Sequence, residues 1–364
     1  MITMFPLLSK MLLYKSFYYL GFPKVLPINY TISLTYRCNS KCSTCNVYKR
    51  NAVELSKEEY KKIFKSIGKS PYWVTFSGGE LFLRKDFVEI VKCFYDICKP
   101  KIINIPTNGL LVQKILSSVQ EICEYCKKSQ VVVNLSIDEV GVEHDQIRSV
   151  PGNYDKVILL FHKLKKMRIK NLSIGIHSVI SKFNIGNFAK VANHMMLLSP
   201  DQYITEIAET RDELQTMGLD ITPDPLHYKA AVDFLIHRIK HMNFPSKFNK
   251  IVQAFRIEYY TLANAILKFK TQVIPCYAGI ASLQISPDGE VWSCCVKAKA
   301  IGYLRKSNYN LKRIWNSSKF TKERLLIKNK KCYCPLANAA YTNMLLEPKT
   351  LSRVFYRSFI KWWQ

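Results

Sequence analysis

Twelve cysteines stand in this 364-residue chain, and seven of them fall into groups that could hold a metal. Cys38, Cys42 and Cys45 read C-x3-C-x2-C. Thiolates are soft ligands that suit iron–sulfur clusters or zinc. Three in one tight loop can hold three corners of a four-iron cube and leave the fourth iron open, whereas structural zinc normally takes a fourth ligand. No further Cys or His lies nearby in sequence, although Cys98 or Cys126 could approach in space. Farther along, Cys276 and Cys294 frame CYAGIASLQISPDGEVWSC, and Cys332 and Cys334 follow in KKCYCPL. These four thiols are enough for one complete second cluster, with structural zinc as the competing occupant. Adjacent residues of an extended chain point to opposite faces, so the Cys332–Cys334 segment must bend, and Cys295 beside Cys294 could replace one ligand. Such tight groups argue for metal and against a secreted disulfide framework.

The elements that must position these thiols are legible as alternation. Thr31–Thr35, Tyr72–Ser77, Lys101–Pro106, Val131–Ile137, Asn171–Val179 and Tyr203–Ala208 read as strands. Helical periodicity fills the gaps at Lys57–Ile67, Lys85–Ile97 and Tyr154–Met167. Strand and helix alternating in this way predict parallel βα units, and such barrels gather chemistry at the C-terminal ends of their strands. The first cysteine group directly follows the first strand. Glu206, Glu209 and Arg211 end the sixth, where they could meet substrate or pair with one another. Pro287-Asp288-Gly289 between alternating apolar runs predicts a β-hairpin. Cys123 and Cys126 lie on one face of a predicted helix, and with Cys93 and Cys98 read as core thiols. His177 in the fifth strand reads as a satisfied core histidine. The segments expected are an apolar basic extension over 1–27, a core over 28–240, a helical bridge over 241–273, a cluster domain over 274–345 and an amphipathic tail over 346–364.

The stretch LTYRCNSKCSTCNVY resembles the radical S-adenosylmethionine (SAM) superfamily. The likeness continues through TFSGGE, IPTNGLL, NLSIDEVGVEHDQIRSVPGNYDKV and SVISKFN. It implies an α/β fold, a partial (β/α)6 TIM-like barrel, and a four-iron cluster on Cys38, Cys42 and Cys45 that chelates SAM. Reductive cleavage of SAM to a 5′-deoxyadenosyl radical would then abstract hydrogen from an unactivated C–H bond. The same resemblance makes Gly78, Gly79, Glu80, Thr107, Asn108, Ser136, Asp138 and Arg148 the candidate cofactor-binding residues. The Gly-Gly-Glu loop would take the methionine ammonium, and Ser136 and Arg148 the ribose or carboxylate, although Asp138 and Arg148 could equally pair together. The hairpin pattern C-x12-G-x4-C, running on into IGYL and LKRIWNSSKF, resembles the SPASM and twitch extensions. It implies one auxiliary four-iron cluster on Cys276, Cys294, Cys332 and Cys334, in a shortened, twitch-like domain. Glu206, Glu209 and Arg211 remain the catalytic candidates.

Net charge is +27, which favours an anionic partner. In the tail, Arg353, Arg357 and Lys361 form one basic stripe beside Leu351, Phe355, Phe359, Trp362 and Trp363, a pattern that suits an anionic membrane interface. The apolar N-terminal stretch carries Lys10 and Lys15, and it has neither the cleavage site of a signal peptide nor the length of a span. The expectation is therefore a cytoplasmic enzyme, peripheral on the membrane, with a lipid or lipid-linked substrate. Its electron donor would be a flavodoxin or ferredoxin. Maturation of a peptide, modification of tRNA and a non-catalytic metal-binding module are the alternatives.

Overall fold

A computed structural model of the chain describes residues 5–242 and 247–359. After an N-terminal helix, α1 (Phe5–Leu20), come six strand–helix units. The first three are β1 (Asn29–Thr35) and α2 (Lys57–Ile67), β2 (Trp73–Gly78) and α3 (Phe87–Cys98), and β3 (Ile102–Thr107) and α4 (Val112–Tyr125). The fourth places α5 (Val142–Arg148) and α6 (Asn153–Met167) after β4 (Gln130–Ser136). The fifth pairs β5 (Leu172–Ile180) with α7 (Phe188–Leu197), and the sixth follows β6 (Gln202–Ile207) with α8 (Pro225–His241) and α9 (Lys247–Phe269). The sequence patterns place all six strands, and the helices α2, α3 and α6, to within two or three residues.

Local chemistry explains the elements. In α3, Phe87, Ile90, Val91, Phe94, Tyr95 and Cys98 recur at helical spacing and are buried. Ser56 caps α2 in a capping box with Glu59. β1 reads NYTISLT, apolar residues alternating with polar ones, yet every residue is buried. Its polar face is buried as well: Ser33 donates to Glu213, and Asn29 Nδ2 donates to Thr342 Oγ1 at 2.9 Å. The interior of the open barrel is thus polar, while Tyr30, Ile32 and Leu34 join the apolar core.

The C-terminal hairpin is not a sheet of its own. β7 (Ser282–Ile285) pairs parallel to β1, and β8 (Glu290–Trp292) and β9 (Gly302–Tyr303) follow antiparallel. The result is one nine-stranded sheet in the order β6-β5-β4-β3-β2-β1-β7-β8-β9. α10 (Leu311–Trp315), α11 (Ser318–Lys328), α12 (Ala337–Leu345) and α13 (Pro348–Phe359) complete the chain.

The first and last described helices dock on the protein. From α1, Phe17 meets Trp315 edge-on at 6.1 Å between centroids, and Tyr18 meets Tyr277 at 4.7 Å. On α13, Arg353 and Arg357 both pair with Glu258 of α9, at 2.7 and 2.8 Å. Two cations of the expected membrane-facing stripe are therefore spent on an internal carboxylate. Lys361, Trp362 and Trp363 lie outside the described residues. No helix among the described residues is long and apolar enough to cross a membrane.

Candidate active site and metal centres

The first thiol group sits in the loop that leaves β1 at its C-terminal end. Neighbouring loops hold it by the backbone: Ser43 N donates to Ile147 O at 2.8 Å, and Asn46 N to Leu214 O at 2.9 Å. Asn108 Nδ2 reaches Asn39 Oδ1 at 2.8 Å and Ser40 Oγ at 3.1 Å. Burial pushes the Cys38 thiol up to about 11 and that of Cys45 up to about 12. A bound metal would reverse that, since coordinated thiols are deprotonated. Cys98 and Cys126, the other thiols considered for this group, are buried in the core: Cys98 ends α3 just before β3 and Cys126 lies just before β4, at the N-terminal ends of the strands, away from the cysteine loop at their C-terminal ends.

The Gly-Gly-Glu loop follows β2. A Cβ on Gly78 would lie 2.1 Å from Thr35 O, and one on Gly79 would lie 2.1 Å from Arg37 O. The close approach that requires glycine here is thus to the backbone entering the cysteine loop. Glu80 is buried, and its two carboxylate oxygens accept from Thr107 Oγ1 and Asn108 N, both at 2.8 Å. Burial pushes its carboxyl up to about 7. Glu80, Thr107 and Asn108 form one network, and through Asn108 it reaches the cysteine loop.

At the end of β4, Asp138 Oδ2 pairs with Arg148 Nη2 at 2.8 Å, an ion pair whose geometry is not that of an aligned hydrogen bond. Arg148 Nη1 also donates to Cys42 Sγ at 3.6 Å, and Arg148 Nε is buried without a partner. His144 accepts from Asp138 N on Nδ1, which leaves the proton on Nε2 facing Asn153 Oδ1. Burial lowers this imidazole to about 4, so it stays neutral. Ser136 ends β4, half-buried.

Of the three charged candidates, Glu206 lies near the end of β6, and Glu209 and Arg211 lie in the loop that follows. Glu206 accepts from Ala337 N at 3.0 Å and stands 3.8 Å from His177 Nε2. Glu209 Oε2 is buried with no partner, and burial pushes its carboxyl up to about 7. Arg211 has no ion pair among the described residues; Nη1 reaches Cys295 Sγ at 3.8 Å and Nε is unpartnered. Arg211 lies near enough to Cys45 to favour its thiolate, and Glu209 near enough to Cys334 to oppose it, although burial dominates at both thiols. The pair therefore lies between the two thiol groups.

The second group is assembled from three segments. Cys276 precedes β7, Cys294 follows β8, and Cys332 and Cys334 lie between α11 and α12. All four line one cavity whose other walls include Leu262, Ile266, Ile274 and Ala340. Cys276 is raised by burial and then by Cys294 and Cys332, and Cys334 is raised by burial, then Glu209, and then Cys276 and Cys294. Four thiols around one largely apolar cavity suit an iron–sulfur cluster. Cys295 does not line that cavity. Its thiol faces Arg211 and Glu213 on the barrel side, so as a replacement ligand it points the wrong way. Sequence reasoning missed Glu213 and Gln284, which meet each other and Ser33 in the barrel interior. Nothing in their sequence surroundings marked them.

Two family models match the chain. The radical SAM superfamily model covers residues 32–195, and the SPASM model, described as an iron-sulfur cluster-binding domain, covers 276–336. The chain is 26% identical over 298 residues to the antilisterial bacteriocin subtilosin biosynthesis protein AlbA of Bacillus subtilis. That alignment takes in 78% of this chain but 59% of AlbA, less than two thirds of its length. Among solved structures, anSMEcpe with bound AdoMet and Cp18Cys peptide superposes with a TM-score of 0.58 at 15% identity, covering 93% of this chain and 98% of the other. Streptococcus suis SuiB bound to precursor peptide SuiA gives 0.57 at 14% identity, covering 86% and 76%. At such identities the structural likeness speaks for the fold.

Proposed function

The chain is a radical SAM enzyme with a SPASM iron–sulfur domain, and from that premise we propose that it modifies a peptide. The observation that carries this reading is the unpartnered pair on the loop after β6. Glu209 Oε2 is an unused acceptor and Arg211 Nε an unused donor, two residues apart between the two thiol groups. One acceptor beside one donor complements the N–H and C=O of an amide, and a buried polar atom without a partner costs about 1–3 kcal/mol until one arrives. The bacteriocin-biosynthesis relative and the peptide complexes of similar fold support the same substrate class. The lipid-linked reading gives way, because two cations of its basic stripe are engaged with Glu258.

When bound, the cofactors supply the 5′-deoxyadenosyl radical, and the protein supplies position and exclusion of water. Cys38, Cys42 and Cys45 would hold the SAM cluster, and Cys276, Cys294, Cys332 and Cys334 the auxiliary one. Arg148, whose Nε is buried without a partner, would meet the cofactor carboxylate, and Ser136 would meet the ribose. Glu80, Thr107 and Asn108 serve mainly to fix the cysteine loop. A low-potential one-electron donor such as a flavodoxin or ferredoxin would complete the system.

The test is untargeted mass spectrometry of peptides, lipids and tRNA nucleosides from cells with and without the protein, under anaerobic growth. The expected result is a peptide whose mass changes only in the presence of the wild-type chain. A change confined to lipids or nucleosides would overturn the peptide reading.

A further inference from the structure

The last turn of α5 grips the cysteine loop twice. Ile147 O accepts from Ser43 N at 2.8 Å, and the next residue, Arg148, reaches Cys42 Sγ with Nη1 at 3.6 Å. The guanidinium is aimed by Asp138, which is itself fixed. Asp138 Oδ1 accepts from Val179 N at 2.9 Å, and its carbonyl accepts from Asn184 Nδ2 at 2.7 Å. The Arg148 side chain is 11% exposed and that of Asp138 2%, so the cation has no easy path to water.

We propose that Arg148 is a positioning residue for the first cluster: it donates to the Cys42 sulfur, orients that ligand and raises the cluster's reduction potential. This rests on the reading that Cys38, Cys42 and Cys45 carry a cluster. A cationic N–H donor stabilises negative charge on a thiolate, and hydrogen bonds to cluster sulfurs are among the protein's means of setting potential. The reduced cluster carries one more negative charge than the oxidised one, so the donor favours reduction. The single electron comes from an external low-potential donor, and Arg148 stays protonated throughout.

The experiment is a potentiometric titration of the anaerobically reconstituted full-length protein with dithionite, followed by EPR before SAM is added. Arg148→Met should move the first cluster's potential to a more negative value, and Arg148→Lys should move it less. Asp138→Asn should move it the other way, because a negative charge is lost while the bond from Ser43 N to Ile147 O still holds the Arg148 turn against the cysteine loop. Those opposite signs separate an electrostatic role from mere loosening of the loop. An unchanged potential in the Met variant, with iron and sulfide intact, overturns the proposal. So does a shift that appears only after SAM is added, which would mean that Arg148 acts on the cofactor alone. If the Met variant cannot hold its cluster, the Lys and Asn variants decide: shifts of opposite sign support the proposal, and shifts of one sign or none overturn it. Wild-type protein with no iron dependent on Cys42 would mean that the underlying site reading has failed, and metal analysis shows this separately.

Discussion

The two thiol groups are built in opposite ways. Cys38, Cys42 and Cys45 come from one loop that is tied by backbone and amide hydrogen bonds to the loops after β3, α5 and β6. Cys276, Cys294, Cys332 and Cys334 come from three segments around a largely apolar cavity, with Gln272 Nε2 holding Cys332 O at 2.8 Å. The first site draws its ligands from one loop held by the barrel, whereas the three segments of the second meet through core packing and single bonds such as Arg324 Nε to Gly279 O at 2.7 Å, so that a bound cluster would add a further link between them. A metal that assembles its own ligands contributes its binding energy to folding. Cluster loss should therefore cost function at the first site and structure at the second.

The largest expected effect tests the first half of that contrast. Replacing Cys38, Cys42 and Cys45 together with Ala should abolish 5′-deoxyadenosine formation while leaving the fold's thermal transition nearly in place. Residual cleavage, measured by chromatography after dithionite reduction, would remove the site. Next in size, Cys276→Ala with Cys294→Ala should remove about half of the iron. It should also open amides of residues 272–345 to hydrogen exchange while the barrel stays protected. Cys295→Ala is the control, and because its thiol faces Arg211 it should leave the iron content unchanged. Loss of iron in the control would restore Cys295 as a ligand.

How much of this was legible in the sequence follows the same division. The βα units and the hairpin turn are local patterns, so the residues alone locate the strand ends and the first cysteine loop. What joins distant segments could not be read. The residues of β1 do not disclose that β7 pairs beside it or that the barrel interior buries Ser33 and Thr35. Glu80, Thr107 and Asn108 read as cofactor contacts from their motifs, but not as partners of one another, which they are because the loops after β2 and β3 converge. The Arg353–Arg357 stripe looked solvent- or membrane-facing because its carboxylate, Glu258, stands on α9, far away in sequence.

That stripe supplies the third prediction. Glu258 is 2% exposed, and two guanidinium groups neutralise it. Replacing both arginines with Met would leave a buried carboxylate unpaired, at a cost of about 2 kcal/mol once the half-exposed Arg353 is discounted. Protease should then nick the α12–α13 region faster than in wild type. If the double variant is as resistant as wild type but loses binding to anionic liposomes at low salt, the stripe serves a membrane after all.

The smallest effect concerns how the C-terminal region seats on the barrel. Glu59 belongs to the capping box that starts α2, and the same carboxylate receives Arg305 Nε at 2.7 Å and Tyr309 Oη at 3.0 Å from beyond β9. The Arg305 hydrogen bond, with help from Ser56 and Tyr309, holds the Glu59 carboxyl down at about 2. In the unfolded chain a glutamate titrates near 4.3. A carboxyl whose folded value is depressed stabilises the fold above its unfolded value, and that contribution fades as pH falls through the window between the two. Because the pair is near the surface, it should be worth only about 1 kcal/mol. Glu59→Gln should therefore lower stability to urea by a constant small amount from neutral pH down to about 5. Below that the wild type should lose its advantage and the two curves should converge. Comparing cluster-loaded wild type and variant at each pH, with iron content matched, cancels the acid sensitivity that the clusters give to both chains. A difference that stays level to about pH 3 would mean that Glu59 acts through helix capping geometry alone. The ion pair would then contribute nothing to seating the SPASM region.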